Sequence, residues 1–210
     1  MAGLFLDTSA GALSLAIEKE GLLVLIKEEN EFNKMAEEAI PLIQEAAKEA
    51  GLSFDGFSSL FITDGPGSYT GERIGLTIGK TYCFLKPSVS LYLASSLKIM
   101  SAAAKDRLSL PLMDARNMAC FGGLYLNGAL QGEEKRLEDE EIRKLINEHP
   151  SLVLIGIGDF AAELKKRYPA NEVISAKMTS CLFTGKDFFS KVEDPLKVKA
   201  RYLRGKDERN

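Results

Sequence analysis

The chain has 210 residues, 45% hydrophobic and 27% charged, with a formal net charge of −3. That length allows one large domain or two small ones with a sizeable core. The lack of basic excess argues against a protein that grips nucleic acid by itself. No apolar run reaches the roughly 18–20 residues of a membrane span, and MAGLFLDTS meets Asp7 with no basic region before it, unlike a signal peptide. Three widely spaced cysteines, Cys83, Cys120 and Cys181, fit reduced thiols, so a cytoplasmic protein is expected.

In chain order, alternating apolar residues predict strands over 3–8, 12–18 and 22–28, joined by turns at Ser9–Gly11 and Lys19–Gly21 as an antiparallel meander. Residues 35–50 predict an amphipathic helix with Met35, Ala39, Leu42, Ile43, Ala46 and Ala50 on one face, stopped by Gly51. A strand over 57–62 runs into a glycine-rich turn, and a helix over 70–85 opens from it. A helix over 93–105 follows Pro87 and marks the expected boundary between 1–98 and a second unit, 99–210, whose last helix is expected to return to the first. Strands are predicted over 110–114, 119–126, 129–130, 152–157 and 173–175, with Asn127-Gly128 as a hairpin turn. Helices are predicted over 138–148 and 159–168, the latter stopped by Pro169. The polar end after Tyr202-Leu203-Arg204 is expected to be disordered.

The most informative stretch is Thr63 to Gly79. Gly67, Gly71, Gly75 and Gly79 recur every fourth residue, which in a helix places them along one stripe. Each interior glycine costs about 0.5–1 kcal/mol against alanine, so a helix with three gives up roughly 2–3 kcal/mol. Either an anion at the helix start or a closely packed backbone must offset this. At about 100° per residue, Gly71, Ile74, Gly75, Ile78, Gly79, Tyr82 and Leu85 share one arc. Leu76, Cys83 and Phe84 lie opposite, so the helix is expected to be covered on two sides, one of them by its own sheet.

Other chemistry is thinner. Gly75 to Thr81 has one residue too few between its glycines for a phosphate loop. Gly65, Gly67 and Gly71 are one residue too long for a dinucleotide fingerprint. Free amides over 65–70 remain a possible anion site, with Asp7 as holder of a hydrated magnesium ion; the plainer readings are glycine torsions in a turn and an aspartate bonding its own loop. Asp7, Gly65 and Gly67 are thus weak cofactor candidates, and no cofactor is expected. His149 is the only histidine and sits at a helix end before Pro150, which excludes metal sites built from histidine pairs. With no nucleophile elbow either, no catalytic residue is assigned.

With Gly65-Pro66-Gly67-Ser68-Tyr69-Thr70-Gly71-Glu72-Arg73-Ile74-Gly75 in view, the chain resembles the TsaB family, also called YeaZ, whose signature reads G-P-G-S-F-T-G-L-R-I-G. Asp7-Thr8-Ser9, Ile40-Pro41-Leu42, Ser95-Ser96-Leu97, Met113-Asp114-Ala115-Arg116 and Tyr202-Leu203-Arg204 agree in order and spacing. The chain departs from the pattern at Met35-Ala36-Glu37, where the family has His-Ser-Glu, at Glu72, where it has Leu, and at Ala119, where it has Glu.

The resemblance implies an α/β fold of the two-domain actin-like ATPase (ASKHA, ribonuclease H-like) type, with mixed sheets and flanking helices. It also implies a non-catalytic scaffold subunit in the synthesis of N6-threonylcarbamoyladenosine at position 37 of tRNA. That subunit binds the metal-containing TsaD catalyst, with a TsaE ATPase joining, reaches tRNA only through the complex, and has no membrane role. Docking is expected through the helices over 35–50 and 70–85, with Ile43, Ala46, Gly71, Ile74, Gly75, Ile78, Gly79 and Tyr82 facing the partner. A homodimer is expected when the chain is alone. The rival readings are a nucleotide-dependent ASKHA enzyme using Asp7 and the glycine turn, and a peptidase.

Overall fold

The computed structural model describes residues 1–29 and 34–203, so the expected disorder of the polar end falls outside the described residues. The meander forms as β1 (Ala2–Asp7), β2 (Leu13–Lys19) and β3 (Leu22–Glu29), antiparallel throughout. Next come α1 (Met35–Glu49), β4 (Ser59–Thr63), α2 (Tyr69–Leu85) and β5 (Ser90–Ala94). β4 pairs in parallel with both β1 and β5. Near the end of the chain, β13 (Ser190–Lys191) returns to pair antiparallel with β5. Among the described residues, the first sheet therefore runs β13-β5-β4-β1-β2-β3.

The second sheet is built from β6 (Ser109–Asp114), β7 (Cys120–Gly122), the short hairpin β8 (Tyr125–Leu126) and β9 (Ala129–Leu130), and β10 (Lys135–Leu137). It is completed by β11 (Val153–Ile157) and β12 (Val173–Ala176), in the order β10-β7-β6-β11-β12. α4 (Asp139–Glu148) and α5 (Gly158–Arg167) flank it. α3 (Ser96–Met100) and α6 (Met178–Thr184) lie between the sheets.

Period-2 alternation explains this layering. On β1, Leu4 and Leu6 face a core shared with Ile43 of α1 and Leu76 of α2. Phe5 faces the other way, into a core with Leu97, Val153 and Leu182. A third core of Leu110, Ile142, Leu154 and Leu164 lies beneath α4 and α5. The result is helix, sheet, helix pair, sheet and helix in successive layers.

Two predicted elements differ. The helix over 93–105 does not start at Leu93: β5 runs to Ala94, paired in parallel with β4, and α3 begins only at Ser96. Ser95 sets the switch, because its Oγ accepts from the amides of Leu97 and Lys98, the N-terminal capping geometry. The single strand over 119–126 is broken into β7 and β8. β10, α6 and β13 have no counterpart in the sequence reading. They are short, and their pattern emerges only once both sheets supply the surface they pack on.

Candidate functional site

β1 and β4, side by side and parallel, deliver Asp7-Thr8-Ser9 and Thr63-Asp64 to the same end of the first sheet, where α2 begins. Ser68 caps that helix, its Oγ accepting from the Gly71 amide. Asp7 is fully buried. Its carboxylate accepts from Ser9 Oγ at 2.7 Å, from the Ala10 amide at 3.0 Å and from the Thr63 hydroxyl. Burial pushes its pKa up, while the Thr63 and Ser9 hydrogen bonds oppose the shift. Asp7 therefore knits its own hairpin to β4 and is not exposed to a ligand. Of the three weak cofactor candidates, Gly67 lines an open cleft, while Asp7 and Gly65 are buried.

The glycine stripe faces inward. A Cβ on Gly67 would lie 2.3 Å from the Ser9 carbonyl oxygen, and one on Gly71 only 1.8 Å from that of Thr8. On Gly75 it would meet Thr8 Oγ1 at 2.6 Å, and on Gly79 the Ile62 Cδ1 at 2.6 Å. Thr8 fills the space the side chains vacate: its hydroxyl donates to the Gly71 carbonyl at 2.7 Å and accepts from the Gly75 amide at 3.1 Å. The expectation that Gly71, Gly75 and Gly79 face a foreign subunit is thus corrected, since the close neighbour is the chain's own β1–β4 edge. Ile43, Ala46 and Tyr82 are likewise buried within the chain. Tyr82 donates its hydroxyl to the Phe54 carbonyl at 2.9 Å. Of the expected partner-facing set, Ile74 and Ile78 keep partial exposure.

Glu72, one turn into α2, is a feature whose consequence only the structure reveals. It is 2% exposed, its Oε1 would lie 2.5 Å from a Cβ on Gly65, and its Oε2 has no hydrogen-bond partner. Burial raises its pKa to about 8; the Gly67 amide pulls down, and the nearby Asp64 and Asp7 push further up. The neutral acid is therefore its main form near pH 7. Its position was visible in sequence as a Leu-to-Glu departure, but its burial was not. Glu72 lines, with Ser9, Gly67 and Tyr202, a cleft of about 770 Å³ closed on the far side by Asp114, Arg116 and Phe160. Arg116 at that wall and the two residues after it, Asn117 and Met118, all hold positive φ, a strained run for side-chain-bearing residues.

A second opening lies between α1 and α2. This groove of about 590 Å³ is walled by Ile40, Tyr69, Ile74, Ile78, Tyr82 and Leu85. Leu85 is 71% exposed, Tyr69 56% and Ile40 37%. At its rim Arg73 lies over the Tyr69 ring, 3.8 Å from the centroid. The segment after β13 crosses back to this place: Val198 and Ala200 pack on the first core, and Arg201 pairs with Asp64 through Nε at 3.1 Å and Nη2 at 3.2 Å. Tyr202 then reaches Arg73.

The three thiols are free and buried, and burial lifts Cys120 to about 11 and Cys181 to about 12, which leaves them unreactive. No described helix is long and apolar enough to cross a membrane.

A family model described as "TsaD: tRNA N6-adenosine threonylcarbamoyltransferase" matches residues 32–141, more than half of the chain. The chain is 30% identical to the tRNA threonylcarbamoyladenosine biosynthesis protein TsaB of Bacillus subtilis over 132 residues, 61% of this chain and 57% of that protein. Its fold is that of a Pseudomonas aeruginosa protein described as similar to peptidase YEAZ, with TM-score 0.79 and 22% identity over 97% of this chain and 99% of that one. The ethanolamine utilization protein EutJ of Carboxydothermus hydrogenoformans shares the fold more distantly, at TM-score 0.55 and 12% identity over 90% of each chain. The architecture is the α/β fold of the actin-like ATPase class with mixed sheets. The chain belongs to the family that the TsaD model describes, and within it is a homologue of TsaB/YeaZ.

Proposed function

We propose that this protein acts in the synthesis of N6-threonylcarbamoyladenosine on tRNA as a non-catalytic subunit, and that the α1–α2 groove docks a TsaD-like catalytic subunit. The observation that carries this is the solvent-open apolar groove, with Ile40 and Leu85 presented at its surface. Exposed apolar surface of this kind costs free energy unless a partner covers it. The sealed position of Asp7 supports a scaffold over a nucleotide-dependent enzyme, because the carboxylate such an enzyme would place on a metal is occupied by Ser9, Ala10 and Thr63.

In this reading residues 1–98 carry the docking helices and 99–210 form the second unit, whose end returns to the first sheet through β13. A TsaE-like ATPase joins the pair, and tRNA is reached only through the complex, in the cytoplasm. Alone, the same groove pairs two copies of the chain.

Co-purification with the TsaD-like subunit of the same organism tests the proposal. Ile40→Arg and Ile78→Arg are expected to abolish association while leaving the circular dichroism spectrum unchanged. Undiminished association by both folded variants would refute it.

A further inference from the structure

Arg73 is held at the groove rim from two directions. Its guanidinium stacks on Tyr69 one turn earlier in α2, Nη2 donates to the Tyr69 hydroxyl, and Nε donates to the Tyr202 hydroxyl at 2.9 Å. The two tyrosine rings lie 5.2 Å apart, inclined by 32°, and grip the arginine between α2 and the C-terminal segment. That segment is itself tied down, since the Arg201 amide donates to the Asp64 carbonyl at 2.7 Å and the Arg201 side chain forks onto the Asp64 carboxylate. Both acceptors that Arg73 uses are tyrosine hydroxyls. Among the described residues no carboxylate pairs with it, and the interactions that raise its pKa come from Tyr202 and Tyr69 alone. A guanidinium has five N–H donors, so donors remain free.

We propose that Arg73 is a preorganised receptor for a carboxylate on the helix that occupies the groove, and that the C-terminal segment 201–202 belongs to the docking surface because it holds Arg73 in place. The inference rests on the docking reading above. An apolar groove fixes a helix only weakly along its length, whereas one charge pair fixes its register. An arginine already held by two partners loses little conformational freedom on pairing. The occupant is a protein helix and not a nucleic acid, because the walls are apolar and the first turn of α1 carries Glu37 and Glu38.

The test measures the dissociation constant for the TsaD-like catalytic subunit at low and high salt, with Arg73→Gln, Arg73→Lys, Tyr202→Phe and the groove controls Ile40→Arg and Ile78→Arg. Arg73→Gln is expected to weaken binding about tenfold and to flatten its salt dependence. Arg73→Lys restores the salt dependence but only part of the affinity, since an ammonium cannot reproduce the fork. Tyr202→Phe weakens binding a few-fold and keeps the salt dependence. Binding by Arg73→Gln within twofold of wild type, with unchanged salt dependence while Ile40→Arg abolishes binding, overturns this inference alone. Binding indifferent to both Ile40→Arg and Ile78→Arg overturns the docking reading, and this inference with it.

Discussion

The carbonyl oxygen of Thr8 occupies the place where a side chain on Gly71 would begin, 1.8 Å from the ideal Cβ position. The end of β1 thus touches α2 backbone to backbone, and the cost of glycine in the helix is offset by this contact and by the two Thr8 hydroxyl bonds.

Gly71→Ala is expected to lower unfolding stability by about 3 kcal/mol or more, because neither backbone can yield. Gly79→Ala, whose neighbour is the end of the Ile62 side chain, is expected to cost clearly less, with alanine's helix propensity returning about 0.5–1 kcal/mol. Urea denaturation of both variants gives the comparison. Equal stabilities would contradict the packing described.

Glu72 makes stability depend on pH in a stated direction. Its pKa is raised from 4.5 in the unfolded chain to about 8 in the fold, so the folded form holds a proton that the unfolded form releases. The contribution is complete below about pH 4.5 and is lost progressively as pH rises through 8. Glu72→Leu removes this slope and is expected to be more stable than wild type by about 1–3 kcal/mol above pH 8. Thermal melts of both proteins across that interval measure it, and parallel curves would show that Glu72 does not titrate this way.

Arg201 joins the C-terminal segment to Asp64 and lies 3.6 Å from the Glu134 carboxylate. Asp64 is 11% exposed at its side chain and Arg201 44%, so the pair is only partly screened. Arg201→Gln is expected to cost about 1–2 kcal/mol, less than a fully buried pair. Combined with Asp64→Asn, it is expected to show a coupling of about 1 kcal/mol in a double-mutant cycle. Strict additivity would mean that the pair contributes nothing.

Much of the fold was legible because its signals are local. Alternation along β1 and β2, the Asn127-Gly128 turn and the glycine period of α2 are properties of neighbouring residues, and each element stands where its pattern places it. β5 was missed because Ser90–Ala94 borders an apolar helical pattern, and only pairing with β4 and the Ser95 cap separate the two. The fork of Arg201 on Asp64 depends on residues 64 and 201 meeting, and the Glu72 side chain is packed against the Gly65 turn; no local pattern announces either.

By itself the sequence determined that α2 carries a bare stripe, that Asp7 closes the first strand and that a specific signature spans the glycine turn and the start of α2. Tertiary structure decided which way the stripe turns. A helical period states that glycines share a face, but two faces of α2 are apolar, and the order of β1, β4 and β5 in the sheet selects the one pressed inward. Steric fit made that choice: only the glycine face lets α2 approach the Thr8 carbonyl, which leaves Ile74 and Ile78 on the side that borders the groove.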